Sequence, residues 1–243
     1  MPKFQVGPEV RCVPALAVDV LDAVGEDCVL FMPFGLDVKD RSVYCNHGTI
    51  NGSLTFVNGR VGKALKFTGN DADYVTVPHS PVLSGFTQGF SCVFWLLLYD
   101  AAKRSCILNK YKTTTGGRSW FVEHDGTYTD ALRLFASADG ATYKQWNFSN
   151  TRLPTNQWFH IAFTWLPNTI PNLYVNGVKQ SLTGGTDVIS QFWQNTGVQL
   201  YIGKCEYQTG RALNGVLDEV CIFNRALTQH EVQRLFRLMR LWS

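Results

Sequence analysis

The chain has 243 residues, room for one large all-β domain or two small ones, and long enough to bury a core without covalent staples. Hydrophobic residues at 45% and charged residues at 17% exclude a disordered chain, and a formal net charge of +3 is too weak to argue for nucleic acid. Aromatic residues at 13% together with 21 Gly favour sheets joined by tight turns.

Residues 1–27 read as an acidic N-terminal arm, with Glu9, Asp19, Asp22, Glu26 and Asp27 against Lys3 and Arg11. Within it, Pro14 to Val24 has the pattern of a short helix ended by Gly25. Asp19 and Asp22 interrupt the one apolar run near the start, and no stretch reaches transmembrane length. The expectation is a chain made in the cytoplasm without a signal peptide and without membrane insertion. Seven Cys (12, 28, 45, 92, 106, 205 and 221) form an odd set with no C-x-x-C spacing, so neither a zinc knuckle nor a redox motif is legible.

From Cys28 the pattern becomes strand and turn. After the apolar run Cys28 to Phe34, strands are predicted at 64–67, 74–77, 90–99, 105–110, 120–123, 132–136, 158–165, 173–175, 178–181, 198–203 and 216–223, about a dozen at sandwich spacing. In Trp158 to Trp165, the residues Phe159, Ile161, Phe163 and Trp165 share one face, the wall of a core. Asn176-Gly177 stands between two strands and predicts a two-residue type I′ hairpin. Near the end, Thr228-Gln-His-Glu231 has capping-box spacing. The helix it opens carries an inward stripe of Val232, Leu235, Phe236 and Met239.

Two segments, Val61 to Pro78 (with Ala-Leu-Lys-Phe-Thr-Gly at 64–69) and Leu213 to Val232, and the loop Asp40-x-Ser-x-x-x-Asn-His-Gly48 carry a further signal. Together they resemble the laminin-G-like members of the concanavalin A-like lectin/glucanase jelly-roll domains, over about residues 28–232. The resemblance implies an all-β, two-sheet antiparallel jelly-roll sandwich that mostly binds rather than catalyses. The organisation expected is an arm at 1–27, the jelly roll at 28–227 and a C-terminal helix and tail at 228–243.

Asp218 and Glu219 sit in an apolar strand, so strict alternation points one carboxylate inward whichever face meets the core, and a buried carboxylate needs a partner. In similar domains the matching Asp lies close to a calcium site whose other ligands follow the "ALKFTG" strand. Here the set would be Asp71, Asp73 and Asp218, with oxygen ligands that suit Ca²⁺. The alternative is that Asp218 accepts backbone N–H bonds from that same loop without a metal.

Aromatic side chains in polar surroundings are the candidates for sugar stacking, where an apolar ring face takes area and nearby polar groups take hydroxyls. These are Trp120, Tyr128, Tyr143, Trp146 and Trp193, near Lys112, Arg118, Asp125, Asp130, Asp139, Asn147 and Gln194. The alternative for any one of them is a core or rim position. Glucanases of the resembling fold use a strand carrying E-x-D-x-E, and retaining hydrolysis needs such a carboxylate pair. Glu123-His-Asp125 lacks the second Glu, so no catalytic residue is assigned.

Two function classes follow. One is a structural and recognition module displayed on a larger assembly, such as a virion decoration or tail protein, or a homo-oligomer. There Arg234, Arg237, Leu238, Leu241 and Trp242 would dock on partner subunits. The other is a stand-alone module for surface glycans or adhesion. A glycoside hydrolase of the same fold comes third.

Overall fold

A computed structural model describes residues 25, 27–126, 131–148 and 153–240. The helix expected at Pro14 to Val24 lies outside the described residues. Among those described, fifteen strands form two antiparallel sheets and one α-helix follows them.

The strands are β1 (Cys28–Met32), β2 (Thr49–Asn51), β3 (Thr55–Asn58), β4 (Lys63–Thr68), β5 (Tyr74–Val77), β6 (Phe90–Leu98), β7 (Arg104–Lys110) and β8 (Trp120–Asp125). They continue as β9 (Ala131–Ala136), β10 (Lys144–Phe148), β11 (Trp158–Trp165), β12 (Asn172–Val175), β13 (Val178–Lys179), β14 (Leu200–Ile202) and β15 (Asn214–Phe223), before α1 (Gln229–Arg240). The eight-stranded sheet runs β13-β12-β11-β6-β15-β4-β3, with β1 also on β15. The seven-stranded sheet runs β10-β9-β8-β7-β14-β5-β2. The two-layer all-β architecture of the sequence is therefore present.

Each sheet turns one face to a shared core. Phe67, Phe90, Phe94, Trp120, Trp146, Phe163, Trp165 and Phe192 meet there, all without solvent exposure or nearly so. Ring pairs such as Phe90–Trp120 (4.9 Å) and Trp165–Phe192 (4.4 Å, stacked) fill the space between layers. The predicted wall of β11 is part of it, with Ile161, Phe163 and Trp165 buried and Phe159 packed at its edge.

β15 lies at the centre of its sheet. It pairs with β6 along one side, and on the other with β4 over its first half and β1 over its second. Between Asp218 and Cys221 the register shifts, and Glu219 adopts φ of 52°. This bulge corrects the expectation drawn from strict alternation. Leu217, Val220 and Ile222 enter the core between the sheets, while Asp218 pairs opposite Trp95 on the sheet's outer face. Neither carboxylate belongs to the sandwich core.

That outer face is covered by α1. Val232, Leu235 and Met239 are buried against Phe31, Val93, Trp95, Cys221 and Phe223, and Phe236 packs at their side. The capping box forms as predicted: the Glu231 N–H donates to Thr228 Oγ1 (3.3 Å) and the Thr228 N–H donates to Glu231 Oε2 (2.8 Å). The hairpin between β12 and β13 also forms as predicted, with Asn176 and Gly177 both at positive φ (51° and 76°).

The Asp40-x-Ser loop is structural. The Asp40 carboxylate accepts from the N–H groups of Phe31, Ser42 and Asn46 and from Ser42 Oγ (2.7–2.8 Å), which ties the loop to β1.

Candidate functional site

The connection from β13 to β14 crosses one end of the sandwich, and its side chains alternate. Phe192 points inward and stacks on Trp165, so its neighbour Trp193 is turned outward and half-buried. The backbone at Trp193 is held from several sides. Its N–H donates to the Ser137 carbonyl (2.6 Å), and its carbonyl accepts from Ser119 Oγ (2.6 Å) and from the N–H groups of Asn195 (3.1 Å) and Gly85 (3.3 Å). Asn195, fully buried, donates from Nδ2 to the carbonyls of Lys110 (2.8 Å) and Gly117 (2.9 Å). The indole is thus fixed by loops arriving from four places in the chain.

Two glycines permit this closeness. A Cβ on Gly140 (φ 73°) would lie 2.5 Å from Trp193 Nε1, and one on Gly85 (φ 70°) would lie 2.7 Å from Gln194 Cβ. Around the indole lies a shallow depression of about 560 Å³ walled by Gly85, Thr87, Gln191, Gln194 and Thr196. Gln191 is braced by donation from its Nε2 to the Ala138 carbonyl (3.0 Å). An aromatic face flanked by amides and hydroxyls, with no charged wall, suits an uncharged polyhydroxylated ring.

The other aromatic candidates do not join this site. Trp120 and Trp146 are corrected from polar positions to core positions: both have no exposed surface. Their indole N–H groups donate to the carbonyls of Leu83 (3.0 Å) and Asp187 (2.9 Å). They sit on strands whose inward face the core consumes, so neither has a ring face left for a ligand. Tyr143 is 50% exposed, but it packs on Tyr111 and Phe135 at the outer face of the seven-stranded sheet. Tyr128 lies outside the described residues, as does Asp130. The sequence reading missed Gly85, Thr87, Gln191 and Thr196, which carry no local signal of a shared wall.

The three carboxylates expected around calcium are not brought together. Asp218 Oδ2 accepts from the N–H groups of Arg60 and Val61 (2.9 Å each), donors from the β3–β4 turn rather than from the loop after β4. Asp73 accepts from the Ser53 N–H (2.7 Å) and from Thr68 Oγ1, and Asp71 accepts from the Gly210 N–H (2.6 Å). Each is engaged by backbone or hydroxyl donors of its own neighbourhood. Among the described residues, no group of three or more His, Cys, Asp or Glu side chains is placed to hold a metal ion.

Glu123 and Asp125 do share the outer face of β8, yet both are buried. Arg133 Nη1 reaches Glu123 Oε1 (3.4 Å) and also Asp125 Oδ2, and Arg104 Nη2 contacts Asp125 Oδ2 (2.6 Å). Arg211 Nη1 lies 3.5 Å from Glu123 Oε2. Burial pushes the Glu123 carboxyl up while the three guanidiniums pull it down. Carboxylates clamped by arginines and closed to solvent are poorly placed to flank a sugar.

At the proposed docking helix, Arg234 and Arg237 are exposed and Leu238 is half-buried, while Leu241 and Trp242 lie outside the described residues. The helix's apolar stripe is consumed by its own sheet. No described helix is long and apolar enough to cross a membrane.

Comparison with known proteins bears on the same fold. The model of the concanavalin A-like lectin/glucanases superfamily matches residues 68–233. Human adhesion G-protein coupled receptor D1 is 34% identical over 83 residues, covering 34% of this chain. The chain spans only 9% of that receptor's length. Among solved structures, the binding domain of Paraclostridial Mosquitocidal Protein 1 superposes with a TM-score of 0.70 at 17% identity, over 87% of this chain and 52% of that one. Domain 4 of AbnA, a GH43 extracellular arabinanase from Geobacillus stearothermophilus solved with arabinotriose, gives 0.57 at 21% identity, over 86% of this chain and 98% of that one.

Proposed function

The chain belongs to the concanavalin A-like lectin/glucanase superfamily, and from that premise we propose that it is a non-catalytic carbohydrate-recognition module that holds an uncharged sugar ring against Trp193. The observation that carries this reading is the outward indole in a depression of about 560 Å³, braced by backbone bonds and walled by amides and hydroxyls. Stacking against the ring's C–H face supplies apolar area, and Gln191, Gln194, Thr87 and Thr196 are placed to take hydroxyls. The similar arabinanase domain was solved with arabinotriose, a neutral sugar, and supports the same ligand class. Because the apolar stripe of α1 is spent on its own sheet, the reading rests on sugar recognition rather than on docking to a virion or another assembly.

A glycan array carrying neutral and sialylated oligosaccharides tests it. Binding is expected among the neutral ligands. Trp193→Ala should weaken it about tenfold or more, as loss of an aromatic contact worth on the order of 1.5 kcal/mol predicts. Tyr143→Ala, on another face, should bind as the parent does. Silence across the neutral glycans, or a Trp193→Ala chain that binds unchanged, would reject the proposal.

A further inference from the structure

Three of the contacts that hold the Trp193 depression come from one short connection. Between β9 and β10, residues 137–143 turn the chain at the edge of the seven-stranded sheet. The Ser137 carbonyl accepts the Trp193 N–H (2.6 Å), and the Ala138 carbonyl accepts from Gln191 Nε2 (3.0 Å). Gly140 sets its bare Cα against the indole edge at Nε1. Its carbonyl also accepts the Gly116 N–H (2.9 Å), which ties the turn to the next loop. The wall of the depression contains no residue of this turn.

One side chain organises the turn. Asp139 is exposed, yet its Oδ1 accepts from the N–H groups of Thr142 (2.8 Å) and Ala141 (2.9 Å) and from Ser137 Oγ (3.0 Å). Its Oδ2 accepts from Thr142 Oγ1 (2.8 Å), and Ser137 Oγ in turn accepts the Gly140 N–H (2.9 Å). A short acceptor that gathers neighbouring donors closes a turn that the backbone alone leaves open. These bonds, that of the Thr142 N–H foremost, hold the Asp139 carboxyl well below the ordinary carboxylate range.

The turn also decides which end of the Gln191 carboxamide is left free. An amide nitrogen donates and its oxygen accepts, so the group that meets the Ala138 carbonyl is the nitrogen. Among the described residues no group donates to Gln191 Oε1. That oxygen remains for a ligand hydroxyl, which must come to it as a donor.

On the sugar-binding reading, which it rests upon, we propose that Asp139 is a positioning residue of the Trp193 site. Through the 137–143 turn it fixes the indole for stacking and frees the acceptor end of Gln191 for a hydroxyl, without touching the sugar itself. The two contact groups are thereby ordered before the sugar arrives, which spares that cost on binding.

The full chain, labelled with heavy nitrogen, is compared with Asp139→Ala and Asp139→Asn by the side-chain N–H signals of tryptophan in nuclear magnetic resonance. The Trp193 signal is the one lost in Trp193→Phe. In Asp139→Ala it is expected to shift or broaden, while the signals of the buried Trp120, Trp146 and Trp165 stay in place. In Asp139→Asn, whose amide oxygen still accepts from Ala141 and Thr142, the parent signal is expected to return. A Trp193 signal unmoved in Asp139→Ala overturns the proposal. So does one that moves together with the three core tryptophans, or that Asp139→Asn fails to restore, since Asp139 would then not act through these bonds on this site.

The same chains are applied to the neutral oligosaccharides of the array. Asp139→Ala is expected to bind about three- to tenfold more weakly, the cost of ordering one or two side chains on binding, and Asp139→Asn as the parent does. Equal binding by the parent and Asp139→Ala overturns the proposal as well. Silence of the parent chain rejects the sugar reading alone, because the Trp193 signal is read without sugar.

Discussion

Asp218 shows how a single residue's neighbourhood sets its chemistry. Its carboxyl is fully buried on the outer face of β15, and burial pushes it up to about 7 even though the backbone N–H groups of Val61, Arg60 and Glu219 favour the charged form. Glu219 is raised too, first by burial and then by the charge of Asp218. An unfolded Asp titrates near about 3.9. Between that value and about 7 the native state binds more protons than the unfolded state, so stability is fullest below about pH 4 and falls as pH rises to about 7. Asp218→Asn keeps an acceptor for Arg60 and Val61 and removes the penalty. It should gain on the order of 1–2 kcal/mol at pH 8 and nothing at pH 4, read from urea unfolding at both. A gain equal at the two values would show that the carboxyl does not titrate there. The sequence marked Asp218 as a buried carboxylate in need of partners. It placed those partners in the wrong loop, because the β15–β4 register, with Asn214 opposite Thr68 and Leu217 opposite Leu65, sets Asp218 beside the start of β4 rather than its end.

Elements whose signals are local were legible. The α1 capping box and the Asn176-Gly177 turn each depend on residues within one turn of chain, and both formed as expected. The three strands not anticipated are β2, β3 and β10, and all three lie at sheet edges. An edge strand needs no full apolar face, and charge and polarity there discourage pairing with other chains. Val57 beside Asn58, or Trp146 between Gln145 and Asn147, gives too short a pattern to separate from a loop. The capping box is reinforced by Arg225, whose guanidinium holds Glu231 down to about 2, with Thr228 bonds adding to the effect. Thr228→Ala removes the side-chain acceptor and should cost about 1 kcal/mol at pH 7, measured as a lower urea midpoint with unchanged slope. An unchanged midpoint would mean that packing under α1 alone fixes the helix.

Across the whole molecule, one core runs between the sheets, and the first and last strands are neighbours. β1 pairs with β15, so Cys28 lies opposite Phe223. Most strand pairings join residues far apart in sequence, which makes folding slow and the layers interdependent. Heating should give one transition that coincides by tryptophan fluorescence and by far-ultraviolet circular dichroism, since Trp120, Trp146 and Trp165 report the same core that both sheets share. Two separated transitions would show that the sheets melt apart. The same interdependence places Trp193: Ser119, Ser137, Gly85 and Asn195 come from different elements and only the assembled sandwich brings them to one indole.

The sequence by itself determined the two-layer β architecture, the hairpin and the closing helix. Apolar periodicity, a turn dipeptide and a capping pair act between residues a few positions apart, and their energetics survive without knowledge of the rest. Only the tertiary structure decided which of Trp120, Trp146 and Trp193 keeps a face to solvent, and that Asp71, Asp73 and Asp218 stay apart. Exposure and proximity depend on what covers a residue, and in this sandwich the covering residues come from distant parts of the chain.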